Sequence, residues 1–322
     1  MMPENFVKNK KILILGGSGA LGKTLTERYY ENNDIIIFSR DEHKHVDMMR
    51  DFPEATYQIG DIKDKDSILQ ALSEYAPHIV INASALKHVP VCEHNPYESV
   101  KTNIIGHRNL IDCVSVSNHQ IETLMFISTD KACKPINVYG MCKAISERLY
   151  IDFANKQDKI KVTLCRYGNV LQSTGSVIPF FKKLLESGVR TLPITDYEMT
   201  RFFVTLQESV DLIEWAYNHK ESHGKIIVPK LPSLKITDVA RELATEYGMG
   251  DIALESIGIR PGEKLHEEMV SFEESLRTVE YKKYFMITDE IINQKSTAFS
   301  SDLVILPHNK VKSFLVEKGV IG

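Results

Sequence analysis

Short apolar runs punctuate the first half of the chain at 11–15, 35–38, 57–59, 79–82, 123–128 and 162–165. Rich in β-branched residues and leucine, they read as strands buried on both faces. Helical periodicity falls between them, from Leu21 onward and over 67–75, 103–115 and 139–153. Strands alternating with helices predict a parallel sheet, and right-handed crossovers narrow the topology to a Rossmann-type, doubly wound α/β fold. After about Asn169 the texture changes: prolines fall at Pro179, Pro193, Pro229, Pro232 and Pro261, and the segments shorten. This predicts a smaller mixed domain laid across the carboxyl ends of the strands. The expected division gives 8–168 and 202–228 to the large domain, and 169–201 with 229–322 to the small one.

The first strand runs into Gly16-Gly17-Ser18-Gly19-Ala20-Leu21-Gly22 and then a helix. Glycines at 16, 19 and 22 allow a tight turn and let backbone amides approach a pyrophosphate at the positive helix end. After the second strand an NAD site normally presents a carboxylate to the ribose 2′-hydroxyl. Here Ser39-Arg40 stands instead, with Lys44 shortly after. A cationic fork suits a 2′-phosphate, so NADP is the expected cofactor and the large domain its binding unit. Asp61, followed by Ile62, is open to two readings: a partner for the adenine amino group, or a helix cap. Asn82-Ala83-Ser84-Ala85 ends the fourth strand with small residues that permit close approach.

Ser128-Thr129-Asp130-Lys131 ends the next strand, and Tyr139 and Lys143 follow four residues apart, on one helix face. A lysine beside a tyrosine favours the phenolate, which can take a proton from a sugar hydroxyl. Asp130-Lys131 is open to a solvated turn or to an acid–amine pair removing water across adjacent carbons, the amine acting as base only if its proton affinity is lowered.

Composition narrows the function class. The net charge of -4 argues against a general affinity for nucleic acid. No apolar run reaches the roughly 18 residues of a membrane helix, and residues 1–11 lack a signal-peptide core. Five cysteines without metal spacing, together with His88, His94 and His107 lacking partners at ligand spacing, predict reduced thiols, a cytoplasmic protein and no metal site. Trp215 with Leu212, Ile213 and Ala216 reads as helix core.

The chain resembles the extended short-chain dehydrogenase/reductases and, within them, the soluble UDP-N-acetylglucosamine 4,6-dehydratases, including the C5-inverting type. The resemblance runs from Lys11 to about Asp289. It rests on Ala85-Leu86-Lys87-His88-Val89-Pro90, Ser128-Thr129-Asp130-Lys131-Ala132, Pro135-Ile136-Asn137 and Arg166-Tyr167-Gly168-Asn169-Val170. It continues through Gly175-Ser176-Val177-Ile178-Pro179-Phe180-Phe181, Pro193-Ile194-Thr195-Asp196, Met199-Thr200-Arg201-Phe202 and the block from Gly258 to Glu267.

The resemblance implies a closed redox cycle on NADP and UDP-N-acetylglucosamine, serving deoxy-amino-sugar and polysaccharide biosynthesis. Tyr139, supported by Lys143, would take the 4-hydroxyl proton, Lys131 the C5 proton, and Asp130 would protonate the leaving 6-hydroxyl. It places Thr129 on the 4-hydroxyl, Asn103 on the cofactor side, and Lys87 near cofactor and substrate. Asn169, Ser176, Val177, Pro179, Arg201, Arg260 and Glu263 would surround the nucleotide sugar, although the two arginines have a plainer alternative in surface ion pairs. Many members carry Met at the position of Tyr139, and anchored relatives carry an N-terminal membrane segment; this sequence matches the soluble branch with a complete triad. A homo-oligomer, dimer or hexamer, is implied likewise. The competing functions are a UDP-hexose 4-epimerase and a non-catalytic NADP-binding regulator.

Overall fold

The computed structural model describes residues 7–171, 175–294 and 296–322; of the stretch 1–11 read for a signal-peptide core, positions 1–6 lie outside them. The strands of the first half are β1 (Lys11–Leu15), β2 (Asp34–Ser39), β3 (Thr56–Ile59), β4 (Ile79–Asn82), β5 (Thr123–Ile127) and β6 (Lys161–Cys165). The helices are α1 (Ala20–Tyr29), α2 (Glu42–Asp51), α3 (Lys65–Tyr75), α4 (Val89–His94), α5 (Pro96–Val100), α6 (Gly106–Val116) and α7 (Val138–Asn155). All six strands are parallel, in the order 3-2-1-4-5-6. Strand order reverses between β1 and β4, and in open α/β sheets ligands bind in the crevice at that point. Leu15 is level with both Phe38 and Asn82, so the loops leaving β1, β2 and β4 open on the same edge.

Three more strands extend the sheet beyond β6. Ile226–Pro229 joins in parallel, followed by Tyr284–Ile287 and Thr278–Glu280, both antiparallel. The expected boundaries assigned everything after 229 to the small domain, yet 278–287 belong to the main sheet. The physical reason is the fully buried strand Ile226–Pro229, whose second edge would otherwise present unpaired backbone.

A second apolar cluster gathers Ile178, Phe181, Leu185, Leu192, Ile194, Val239, Leu243, Val311 and Leu315. The strand Thr200–Val204 is the seam between the clusters. Neighbouring side chains of a strand face opposite ways, and Phe202 packs in the main core while Phe203 packs in the second. All five cysteines are buried and unbridged. Among the described residues no helix is long and apolar enough to cross a membrane, and no group of three His, Cys, Asp or Glu residues could hold a metal ion.

Candidate active site

The strand ends open into one cleft of about 1260 Å³, bordered by residues of both clusters. This exceeds the roughly 300–1,000 Å³ of a single small-molecule pocket and leaves room for two ligands side by side.

On the β1 side, Gly16 has φ +75, and a Cβ there would meet Ser84 N at 2.9 Å and the Ala83 carbonyl at 3.0 Å. Only glycine lets this turn press on the end of β4. Gly19 offers no side-chain cap to α1, so its first amides are left for a ligand. Gly16, Ser18, Gly19, Ala20, Leu21 and Gly22 all border the cleft.

At the end of β2, Ser39 Oγ lies 2.7 Å from Ser18 Oγ and 2.6 Å from His45 Nε2, whose burial favours the neutral ring. Asp41 accepts from the Lys44 amide at 3.2 Å and pairs with Lys44 Nζ at 3.0 Å, so its carboxylate is engaged on α2. Arg40 Nη1 lies 3.5 Å from Asp61 Oδ2. Asp61 is no helix cap: α3 begins at Lys65, and its cap is Asp64, which accepts from the amides of Asp66 and Ser67. Asp61 and Ile62 border the cleft, as do Ser39, Arg40, Lys44, Ala83, Ala85 and Lys87. Lys87 stands at the cleft wall, its ammonium pushed down by desolvation first and by Lys44 second.

Asn103 departs from expectation. It is wholly buried in a π-helical turn, Lys101–Ile105, and does not border the cleft. Its carboxamide accepts from Leu86 N at 2.9 Å and donates to Leu86 O at 2.8 Å. It therefore holds the loop carrying Ala85 and Lys87 from behind.

On the β5 side, Thr129 Oγ1 donates to Asp130 Oδ1 at 2.9 Å, and Lys131 Nζ donates to the same oxygen at 3.1 Å. Lys131 also reaches Asn169 Oδ1 at 3.1 Å and Glu267 Oε1 at 3.4 Å. Asp130 is fully buried behind Lys131, does not border the cleft, and its Oδ2 has no hydrogen-bond partner among the described residues. Burial raises its proton affinity, opposed by Lys131. For Lys131, burial favours the neutral amine but Asp130 and Glu267 outweigh it, so the ammonium is stabilised. A base lysine needs the opposite shift, and this resting arrangement does not provide it.

Helix α7 starts with Asn137 Oδ1 accepting from Gly140 N at 2.7 Å. A Cβ at Gly140 would lie 2.2 Å from the Lys131 carbonyl, so glycine here seats Tyr139 against the Asp130-Lys131 turn. The expected pairing of Lys143 with Tyr139 is not what the structure shows. Lys143 Nζ donates to the Ile127 carbonyl and lies 4.1 Å from the Phe126 ring centroid. Burial pushes its ammonium down to about 7. The Tyr139 phenol is pushed up to about 12 by burial, opposed first by Lys131 and then by a hydrogen bond with Thr129.

Asn169, Ser176, Val177, Arg201, Arg260 and Glu263 also border the cleft. Pro179 does not border it; it occupies the first turn of the helix Val177–Glu186, where a missing N–H costs nothing. Arg201 is mostly buried, and its guanidinium donates to the carbonyls of Thr200, Lys264 and Leu265 at 2.7–3.1 Å. Arg260 lies 3.7 Å from Glu263 at the rim. Sequence reading gave no role to Glu267, although it lies within the quoted Gly258-to-Glu267 block. It also missed the buried fork of Arg166 onto Glu147 and Glu274 behind Ser128, because those partners are remote in sequence.

A glycine turn at the β1/β4 reversal, a Thr-Tyr-Lys set on β5 and α7, and a second lobe closing the cleft are the layout of an extended short-chain dehydrogenase/reductase. The family described as polysaccharide biosynthesis protein matches residues 12–289. The chain is 43% identical over 314 residues to a Campylobacter jejuni protein named UDP-N-acetylglucosamine 4,6-dehydratase (inverting), covering 94% of this chain and 90% of that one. It is 36% identical over 289 residues to a Rickettsia rickettsii protein named UDP-glucose 4-epimerase, with 87% and 83% covered. The solved structure of Pen from Bacillus thuringiensis superposes with a TM-score of 0.90 at 29% identity, over 98% of this chain and all of that one. The chain belongs to the polysaccharide biosynthesis protein family of extended short-chain dehydrogenase/reductases.

Proposed function

We propose that this protein is an inverting UDP-N-acetylglucosamine 4,6-dehydratase that works with tightly held NADP in the cytoplasm. The observation that carries the reading is the Asp130–Lys131 couple beside Tyr139, with Lys131 and Tyr139 both bordering a cleft large enough for dinucleotide and nucleotide sugar. The similarity to the Campylobacter jejuni protein supports the choice of sugar and of inversion.

The residues present fit NADP: an uncapped helix end for the pyrophosphate, and Arg40, Lys44 and Lys87 around a ribose edge, where a 2′-phosphate would take Arg40 and Lys44 over from their present partners Asp61 and Asp41. Bound there, the nicotinamide supplies an acceptor for the C4 hydrogen and its return to C6. Tyr139 would take the 4-hydroxyl proton as the phenolate, a form that Lys131 and a cationic nicotinamide ring bound beside it would favour against the burial that otherwise keeps the phenol protonated. Thr129, already donating to Asp130, accepts a hydrogen bond from the sugar or the phenol rather than donating one. Lys131 takes the C5 proton, and Asp130, buried behind it, passes its proton toward the departing 6-hydroxyl along the Thr129 hydroxyl, which touches Asp130 and borders the cleft. Arg260, Glu263, Ser176 and Val177 border the space left for the UDP portion. Exposed Tyr97, Ile105, Met141 and Ile145 on neighbouring helical segments support a homo-oligomer.

A 4-epimerase is the second reading, favoured by the Rickettsia rickettsii relative. Incubation with UDP-N-acetylglucosamine in heavy water separates the two. Product lighter by one water, with deuterium at C5 and the L-configuration by proton NMR, is the expected result. Unchanged mass with inverted C4 establishes the epimerase, and no turnover of any UDP-sugar overturns both.

A further inference from the structure

Two buried carboxylates share one lysine in the catalytic corner. Lys131 Nζ lies 3.1 Å from Asp130 Oδ1 and 3.4 Å from Glu267 Oε1. Glu267 is 2% exposed yet borders the cleft, and Ser301 Oγ accepts its backbone amide at 2.9 Å. Its second oxygen lies 3.6 Å from Lys264 Nζ, which donates to the Cys133 carbonyl at 2.7 Å. Arg201 is the remaining cation acting on this corner, and Tyr139 is the phenol facing Lys131.

We propose that Glu267 is a positioning residue of the elimination step: a carboxylate, ionised throughout, that anchors Lys131 and keeps in place the one proton shared by Asp130 and Lys131. The inference rests on the dehydratase reading.

Elimination from the 4-keto sugar breaks the C5–H bond, with the proton going to a neutral Lys131 amine. The electron pair forms the C5–C6 double bond, the C6–O bond breaks, and the departing oxygen takes a proton from Asp130 to leave as water. The step needs neutral amine and neutral acid together. That state is the tautomer of the ammonium–carboxylate pair, reached by moving one proton across the 3.1 Å contact. A couple that loses this proton to solvent cannot react. A fixed negative charge at Glu267 raises the proton affinity of both partners, so the proton is retained as pH rises. The opposed directions at the two carboxylates agree with a division of roles: Asp130 is raised by burial, whereas for Glu267 burial is overcome by Lys131, Arg201 and Lys264.

Glu267→Gln tests this. The alkaline loss of kcat should arrive about 1–3 pH units earlier than in the wild type, the range for removing a charge at this distance. The 13Cε-lysine NMR signal of Lys131, assigned with Lys131→Met, should titrate earlier by a similar amount in the cofactor-loaded protein. Glu267→Asp keeps the charge on a shorter arm and should fall between the two, and it serves where the glutamine variant does not fold. A lower kcat with both alkaline limb and NMR titration unmoved assigns Glu267 a purely structural role and overturns the proposal. Failure of the dehydratase reading shows separately, as wild-type protein that releases no water from the sugar while the NMR comparison still reports on Glu267.

Discussion

Arg40 follows the last residue of β2, half exposed and 3.5 Å from Asp61. A guanidinium so placed can hold a 2′-phosphate by charge-assisted hydrogen bonds, each contributing about 1.5–3 kcal/mol. Arg40→Ala is therefore expected to weaken NADP by about tenfold or more while leaving NAD nearly unchanged; equal losses in a fluorescence titration would remove the 2′-phosphate from this corner. At this scale the sequence conveyed residue types and their spacing well. Thr129, Asp130, Lys131 and Tyr139 meet as their motifs suggested. Their protonation was illegible, because it depends on neighbours supplied from far along the chain. Lys131 is held as an ammonium by Asp130 beside it and by Glu267 arriving from far along the chain, and Tyr139 is a phenol because burial dominates and Lys143 is engaged by the Ile127 carbonyl.

Elements are tied together by one buried ionic fork. Arg166, just past β6, places both nitrogen edges on Glu147 of α7 and Glu274 of the short helix Phe272–Ser275, at 2.7–3.0 Å. Ser128 Oγ donates to Glu147 at 2.6 Å, so the fork also fixes the end of β5. Replacing the cation alone strands two buried carboxylates, the costly way to break such a group. Arg166→Met is expected to lower stability by about 3–5 kcal/mol, read as a reduced urea midpoint at unchanged slope. A loss below about 1 kcal/mol would mean the carboxylates find other partners. Helix positions were legible from periodicity, but the inward turn of Asn103 was not: one π-helical turn rotates that residue away from the cleft. Pro179 misled for a related reason, since a first-turn proline serves the helix and needs no ligand.

Across the whole molecule, the doubly wound order was readable because each buried strand announces itself as an apolar run. The far edge of the sheet was not. Tyr284–Ile287 and Thr278–Glu280 return to it from late in the chain, and short strands near turns leave little periodicity to read. The cleft between the two clusters gathers cations from both, with Arg40, Lys44 and Lys87 at one end and Lys131 and Arg201 at the other.

Lys143, wholly buried and held near 7, gives the cleft a chemical appetite. At neutral pH it is only partly charged, and an anionic dinucleotide drawn into the cleft raises its hold on a proton. Loading must then draw hydrogen ions from the medium. Below about pH 6 the amine is already charged and nothing is taken up, whereas uptake grows as pH climbs past about 7. Calorimetric heats of NADP binding in phosphate and Tris should therefore diverge near pH 8 and converge near pH 6, and Lys143→Met should abolish the divergence. Heats that never depend on buffer would show that occupancy and acidity are unlinked here.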